Sequence, residues 1–471
     1  MSRHVFSGAD QGEGLLTSGS NLSYWIDSTE PLIFSPLKEN IITDTLVIGG
    51  GISGLSVAYC LAKAGKKVVL IEDGFLGSGE TGRTTAHLVN ALDDRYSELE
   101  SRLGKQASRV AAESHTAAIN FIEKIVAEEK IDCGFKRVDG FLFLHPSDTV
   151  KTLKDELEAT HRAGIQTEIV TGVPAMANES GPCLKFPQQA QFHPLYYLKG
   201  LASAILKYGG LIFTETRATK IEEKKVTAND FTIDCNHVVV ATNSPVNDRV
   251  TMHTKQHPYR TYVIGALVQR GAIPPALWWD TGDMESKWVT DPYHYVRLQD
   301  YNEEYDLLIA GGEDHKTGQA DEENIPEQDR FSRLIEWTQQ RFPQVRDVVY
   351  KWSGQVLEPV DSLAFIGRNP GDRNIYISTG DSGNGMTHGT IAGMVISDLI
   401  QGIDNPWVKV YDPSRITLKA TGDFLKEVGN MTVQYLDYLA PGDLKSVQEL
   451  EANQGAIINL GGKKAAVYKD D

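Results

Sequence analysis

D-T-L-V-I-G-G-G-I-S-G-L-S-V-A-Y-C-L-A-K-A-G-K-K-V-V-L-I-E, residues 44–72, decides how the chain is read. Leu46-Val47-Ile48 is a short apolar run of the kind that forms a strand buried on both faces. Gly49, Gly51 and Gly54 then supply G-x-G-x-x-G. The first glycine permits a tight turn, the second lets backbone approach a pyrophosphate, and the third lets helix pack on strand. Leu55, Ala58, Leu61 and Ala62 follow at helical spacing, so phosphates would meet the helix N-terminus, where free N–H groups and the dipole favour anions. Gly65 can end that helix, and Val68-Val69-Leu70-Ile71 forms the second buried strand. Glu72 stands where an acid takes ribose hydroxyls, and it argues against a 2′-phosphate. Strand, glycines, helix, strand and acid in this order point to dinucleotide binding, with NAD and FAD both open.

Outward from this stretch, 471 residues are too many for one core and suggest two or three domains. Hydrophobic content of 41% and charged content of 23% are globular values. A net charge of −17 disfavours nucleic acid or an anionic membrane as partner and mildly favours a cationic substrate. No run of eighteen apolar residues occurs, so no membrane span is expected. The first residues lack the apolar core of a signal peptide. Cys60, Cys133, Cys183 and Cys235 have no framework spacing and fit a reducing cytoplasm. Cys235-Asn236-His237 is half a metal pair without a second half, so no metal site is expected.

Residues 21–40 read as an irregular segment, and residues 105–130 as a long amphipathic helix. From Cys133 the period changes to two, with Phe135, Val138, Phe141 and Phe143 suggesting an antiparallel layer. His193-Pro194 opens another helix, whose Leu198, Leu201, Ile205 and Leu206 share a face. Val238-Val239-Val240 is a strand closing on Ala241-Thr242-Asn243. Residues 259–313 alternate again and are rich in aromatics. Near residue 380 a second strand–glycine–helix unit appears: Ile375-Tyr376-Ile377, then S-T-G-D-S-G-N-G-M-T-H-G-T, then Ile391, Val395 and Leu399 on one helical face. Such a turn again aims N–H donors at something electron-rich.

Together G-G-G-I-S-G-L with Glu72, S-G-E-T-G-R-T-T-A-H (78–87), Val239 to Asn243, E-P-V-D-S-L-A-F-I-G (358–367) and G-D-S-G-N-G-M (380–386) resemble the FAD-dependent amine and amino-acid oxidoreductases of the D-amino-acid oxidase type. The resemblance spans about Leu22 to Gly402 and turns the cofactor reading to FAD. R-T-T-A-H-L, D-P-Y-H-Y-V-R and G-G-E-D-H-K-T-G-Q resemble the bacterial branch that carries a C-terminal Rieske domain. A-A-V-Y-K-D (465–470) is similar to the opening of that domain, and no C-x-H and C-x-x-H cluster pair follows it.

The implied fold is mixed α/β, a Rossmann-like FAD-binding domain interleaved with an antiparallel-sheet substrate domain. Residues 1–40 would be an arm, residues 41–132, 187–250 and 350–402 the FAD-binding domain, and residues 133–186 and 251–349 the substrate-binding domain. Residues 403–471 would be a C-terminal extension. The resemblance assigns Gly49, Gly51, Ile52, Ser53 and Gly54 to the pyrophosphate and Glu72 to the adenosine ribose. It runs Arg83, Thr84, Thr85, Ala86 and His87 past the ribityl chain and ring, and brings Ala218 to the adenine and Thr242 to the cofactor. Gly383, Asn384, Gly385, Met386 and Thr387 would face the pyrimidine end. There a helix N-terminus stabilises negative charge by roughly 0.3–1 kcal/mol, or ~2 when buried.

For the chemistry, His315 is the first candidate, because G-E-D-H-K-T-G-Q resembles the G-Y-H-x-x-G-Q turn of sarcosine oxidases. Tyr295 and Arg297 are further catalytic candidates. Tyr293 and Tyr295 should share a strand face with His294 on the other, and Trp278 and Trp279 could wall an amine site. Thr387 replaces the lysine that binds a substrate carboxylate in sarcosine oxidases, leaving Arg297 as the alternative partner. The oxygen-activating lysine has no counterpart, and no thiol stands near Gln355 to tether the flavin. The expected activity is oxidation of a C–N bond in a small amine or amino acid by hydride transfer to FAD, the imine then hydrolysing. Electrons would pass to oxygen or a protein acceptor. A hydroxy-acid dehydrogenase and a non-catalytic flavin electron-transfer subunit are the alternatives.

Overall fold

The computed structural model describes residues 22–247, 252, 255–286, 292–317, 325–415, 449–450, 454–460 and 463–469. The chain divides into two compact units, Met1–Thr417 and Leu418–Asp471. Within the first unit, two sheets carry the architecture, and the fold is mixed α/β as the motifs imply.

The first sheet has eight strands, ordered along its main path 365–368, 375–379, 231–240, 41–48, 68–71 and 211–213. Ile41–Ile48 lies parallel to both Phe231–Val240 and Val68–Ile71, and Phe231–Val240 lies parallel to Ile375–Thr379. Leu46 to Ile48, Val68 to Ile71 and Val238 to Val240 are buried on both faces, which is why these strands read as unbroken apolar runs. The register sets Ile48 beside Val240 and Ile71, so the carboxyl ends of these strands line up at one edge. Ligands of open α/β sheets bind at that edge.

The second sheet has nine strands, ordered 348–359, 256–269, 305–316, 295–300, 277–280, 136–143, 182–191 and 87–88, with 168–171 beside 182–191. Its pairings are antiparallel except that Leu277–Asp280 runs parallel to Lys136–Phe143. The short strand His87–Leu88 follows the first nucleotide unit in sequence yet pairs with Pro182–Gln191 of the second sheet. That crossing carries residues 83–87 between the two sheets.

Two helices matter most. The early helix, Ile52–Lys63, follows the first strand, and the late helix, Gly385–Gln401, follows Ile375–Thr379. Lys105–Glu129 forms the long helix expected over 105–130. Two local readings are corrected. Leu206 is 44% exposed rather than part of the buried face of Pro194–Lys207, because it falls at the flank of the apolar stripe of Leu198, Leu201 and Ile205. The irregular segment from residue 22 contains a short helix, Tyr24–Asp27, capped by Ser23, whose Oγ accepts from Ile26 N–H. In the second unit, Gln454–Leu460 and Lys463–Lys469 pair as an antiparallel hairpin.

Candidate functional site

The early turn is built from close approaches that only glycine allows. Gly49 adopts φ +113°, and a Cβ there would stand 2.3 Å from Ala241 O. A Cβ on Gly54 would stand 1.9 Å from Gly49 O, so the third glycine seats the helix on the strand as its spacing suggests. Glu72 closes the turn: its carboxylate accepts from Gly50 N–H at 2.5 Å and from Gly74 N–H at 3.0 Å. Burial raises its pKa, and these two N–H donors oppose the rise.

At the late turn, Ser382 and Gly383 both take positive φ, 43° and 68°, and Asn384 occupies the N-cap position without a side-chain cap bond. The late helix then crosses the early one at backbone distance. A Cβ on Gly389 would come within 2.7 Å of Ile52 and 2.9 Å of Ser53 Oγ, and one on Gly393 within 2.7 Å of Ser56 Cβ. The two N-termini are thereby held side by side. Both open on one cavity of about 600 Å³, whose wall includes Gly49, Gly51, Gly383 and Gly385. That size lies within the few hundred to ~1,000 Å³ usual for ligand sites.

Most residues expected at the cofactor lie on this wall: Ile52, Ser53, Glu72, Arg83, Thr84, Thr85, His87, Ala218, Thr242, Asn384 and Met386 join the four glycines. Gly54, Ala86 and Thr387 do not, being packed behind it. Residues 83–87 form a strap across the cavity held by backbone bonds. Trp25 Nε1 donates to Thr84 O at 2.6 Å, and Trp352 Nε1 donates to Arg83 O at 2.8 Å. Ala86 sits at φ +59°. His87 bridges Thr85 Oγ1 at 3.0 Å and Val296 O at 3.2 Å. Burial, reinforced by the Arg297 charge, holds its pKa down at about 3, so its ring is neutral.

The catalytic candidates part company. Tyr295 lies on the wall, with its hydroxyl 2.6 Å from Thr261 Oγ1. Arg297 does not reach the cavity. It is fully buried, and its guanidinium donates to Ala86 O at 2.8 Å, Phe192 O at 3.0 Å and Thr85 O at 3.2 Å, with Nη2 on Gln299 Oε1 at 2.6 Å. It clamps the strap, and the expectation that it could bind a substrate carboxylate is withdrawn. His315 is also off the wall: it is buried and stacks on Tyr262, ring centres 5.7 Å apart. The strand begins only at Tyr295, so Tyr293 and His294 precede it, though they still point apart. Both tyrosines line the cavity, while His294 turns to Asp280 at 2.9 Å and stacks on Trp337. Of the tryptophans, Trp279 lines the cavity and Trp278 is core, donating to Pro174 O.

What the motifs missed is a set of carboxyl groups. Asp93, Asp94, Asp314, Glu358 and Asp381 come from four separate segments and all line the cavity. Burial, then the neighbouring carboxylates, push Asp93 up to about 8 against the lowering effect of the Tyr293 hydroxyl, which donates to it. Burial likewise raises Asp314 to about 7 and Asp381 to about 6. Asp94 and Glu358 meet at one hydroxyl: Ser382 Oγ lies 2.8 Å from Asp94 Oδ2 and 2.7 Å from Glu358 Oε2. One hydroxyl has one proton to give, so a carboxyl proton must complete the bridge. The acids in E-P-V-D-S and G-D-S-G-N-G were visible in the sequence, but their meeting was not.

Arginines on the wall have protein partners. Arg95 donates to Thr281 O at 2.6 Å and pairs with Glu98, Arg102 donates to Val360 O, Arg83 donates to Ser78 O at 2.7 Å, and Arg217 faces Asp73 at 3.7 Å. Among the described residues the wall has no lysine. Among them, too, no helix is long and apolar enough to cross a membrane.

The two donor-rich mouths, the ribose-type acid Glu72 and the strap between the sheets together suit a flavin dinucleotide. A family profile described as FAD dependent oxidoreductase matches residues 44–399. The protein YhfW of Bacillus subtilis (strain 168), provisionally named a Rieske 2Fe-2S iron-sulfur protein, is 30% identical over 95% of this chain and 86% of its own length. Gamma-glutamylputrescine oxidoreductase of Escherichia coli (strain K12) is 27% identical over 82% of this chain and 90% of its own. Among solved structures, L-proline dehydrogenase from P. horikoshii superposes with a TM-score of 0.62 at 22% identity, covering 80% of this chain and 98% of that one. Glycine oxidase from Bacillus cereus ATCC 14579 gives 0.62 at 18%, covering 80% and 99%. The chain belongs to the FAD dependent oxidoreductase family, and FAD is its cofactor.

Proposed function

We propose that this enzyme oxidises the C–N bond of a small amine, the substrate binding under the second sheet at the acid- and aromatic-lined end of the cavity. The observation that carries the reading is the composition of that end. Trp279, Tyr293 and Tyr295 offer apolar faces, Asp93 and Asp314 hold or take up a proton near neutral pH, and the wall arginines are already engaged. An amine finds acceptors there, whereas an α-carboxylate finds no spare arginine among the described residues. A hydroxy acid meets the same lack, now that Arg297 is spent on the strap. An electron-transfer subunit would need the flavin space but not the acid- and aromatic-lined end beside it.

In this reading Gly49, Gly51, Ile52 and Ser53 form the turn around the pyrophosphate, Gly51 and Ser53 offering backbone N–H groups while those of Gly49 and Ile52 donate to Ile71 O and Thr81 Oγ1, with Gly54 setting the helix, and Glu72 takes the ribose. Ala218 and Thr242 border the adenosine half. Arg83, Thr84, Thr85 and His87, held by Ala86 and Arg297, form the strap along the ribityl chain. Gly383, Asn384, Gly385 and Met386 stand at the pyrimidine end, with Thr387 behind them. FAD, when bound, supplies the acceptor for hydride. The protein's own part is to strip and hold a proton: an ammonium group donates to whichever of Asp314 and Asp93 is ionised, Asp93 being oriented by its Tyr293 partner and becoming available as pH approaches 8, leaving the neutral amine that can give up hydride. Water then hydrolyses the released imine. Electrons leave to oxygen or to a protein acceptor.

The two sheets are proposed as the two domains, the strap at 83–88 being their junction. A panel of primary and secondary amines, amino acids and hydroxy acids mixed anaerobically with the FAD-loaded protein tests the reading through loss of the visible flavin band. Amines without a neighbouring carboxylate are expected to bleach it fastest. Bleaching by hydroxy acids alone would overturn it.

A further inference from the structure

Behind the late mouth lies a pair of histidines that neither the motifs nor the mechanism above uses. His388, in the first turn of the late helix, lines the cavity and is 2% exposed; His115, from the long helix, is fully buried. Their Nε2 atoms are 3.1 Å apart. His388 Nδ1 is 2.8 Å from Asp381 O, and His115 Nδ1 is 2.8 Å from Thr387 Oγ1. Thr387 Oγ1 is in turn 3.1 Å from Asn384 O. Both carbonyls belong to the turn that opens the late helix.

The directions of these bonds can be worked out. A carbonyl only accepts, so His388 Nδ1 carries hydrogen and donates to Asp381 O. If both rings are neutral, His388 Nε2 has a lone pair and His115 Nε2–H donates to it. His115 Nδ1 then accepts from the Thr387 hydroxyl. Add one proton and the chain reverses: His388 Nε2–H donates to His115 Nε2, His115 Nδ1–H donates to Thr387 Oγ1, and the Thr387 hydroxyl donates to Asn384 O. Each of these four bonds serves one or both arrangements. A second added proton would set N–H against N–H, so the capacity is one.

We propose that His388 and His115 form a one-proton relay behind the late mouth, neutral beside oxidised FAD and protonated once when hydride transfer brings negative charge to that mouth. The inference rests on the flavin reading of the cavity. The hydride carries two electrons and a proton from the substrate carbon to the cofactor. The relay's proton is a different one, drawn from the amine nitrogen or from water, and nothing further is oxidised or reduced. Burial keeps both rings neutral without such a charge, holding His388 at about 4 and His115 well below its usual value. The surrounding groups agree. The Arg415 charge opposes protonation of His388 and is itself paired with Asp361 at 2.7 Å. A charge on His388 in turn opposes protonation of His115, the Tyr411 ring edge stands 5.9 Å from His388, and the Asp381 carboxyl shares the cavity wall. From the remaining side the Val89 backbone hydrogen-bonds His115 and favours its protonated form.

The test uses the full chain with 15N-labelled histidine and bound FAD. Imidazole nitrogen signals are followed from about pH 6 to pH 9, oxidised and then photoreduced. The expected result is two neutral rings when oxidised and one shared imidazolium when reduced. The midpoint potential of the wild type should accordingly fall more steeply with pH, by one proton per two electrons, than that of Thr387→Val, which removes the acceptor of the reversed chain. Thr387→Ser should restore the wild-type slope. Two neutral rings in the reduced protein, or equal slopes for the valine and serine variants, would overturn the relay while leaving the flavin reading intact. Failure to take up FAD at all would overturn both.

Discussion

Arg297 shows how much a single buried charge organises. Its guanidinium is satisfied by four main-chain carbonyls, one of which (Leu298 O) also accepts from Gln191, and by one glutamine, with no carboxylate among the bonded partners, and burial lowers its pKa to about 9. Arg297→Met would strip three carbonyls of donors at once. Leaving such groups unpaired costs about 1–3 kcal/mol each before relaxation. We expect a denaturant midpoint lower by the equivalent of about 3 kcal/mol, together with weakened FAD retention as Ala86 leaves its strained conformation; a substrate-binding arginine would instead raise KM and leave the midpoint alone. Gly54→Ala belongs to the same scale. Its methyl would collide with Gly49 O, so the early helix must shift by more than an ångström, and overpacking of this kind costs about 1–3 kcal/mol. The purified variant should be colourless.

Asp93 gives a pH signature. Its ordinary value is 3.8 and the fold raises it to about 8, so between those limits the folded protein binds the proton and the unfolded chain does not. Stability contributed by that proton is complete below the lower limit and is lost as pH rises through the upper one. FAD-free protein should therefore unfold more easily at pH 9 than at pH 6, by an amount on the order of a few kcal/mol. Asp93→Asn should flatten the slope and be the more stable protein at the alkaline end. Thermal melts across pH check this, and a wild-type curve that rises toward pH 9 would contradict it.

At the scale of elements, the two glycine turns were legible because their meaning is local. Strand, turn and helix lie within thirty residues, and the steric reason for each glycine, such as Gly49 against Ala241 O, follows from that order. Depth was not legible. Period-two alternation put Tyr293, Tyr295 and Arg297 on one face, and it cannot say that the arginine lies beneath the strap while the tyrosines stand in the cavity. The carboxyl groups escaped for a related reason: Asp93, Asp314, Glu358 and Asp381 are ordinary surface-type residues in sequence and become a group only through the packing of both sheets. His115 and His388 likewise meet across 273 positions. For His388 the fold lowers the pKa from 6.5 to about 4, so the unfolded chain binds the proton first and stability falls as pH drops through that interval. His388→Gln should remove that part of the acid loss, measurable as a shallower decline between pH 6.5 and 4 in FAD-free protein.

For the molecule as a whole, FAD should act as a structural member as much as a reagent, since in the proposed reading it fills the space between the two sheets. A ligand at a hundred times its Kd adds about 2.7 kcal/mol. We expect the unfolding temperature to climb with FAD concentration, and no climb would show that the folded chain does not take up FAD. The crossing of Gly389 and Gly393 over Ile52, Ser53 and Ser56 adds a final point. With no side chain on the late helix at either contact, the gap between their open ends works like a locked calliper. Riboflavin 5′-phosphate, lacking the adenylate half, would engage one jaw and leave Glu72 idle, so the protein should discriminate against it by measuring length.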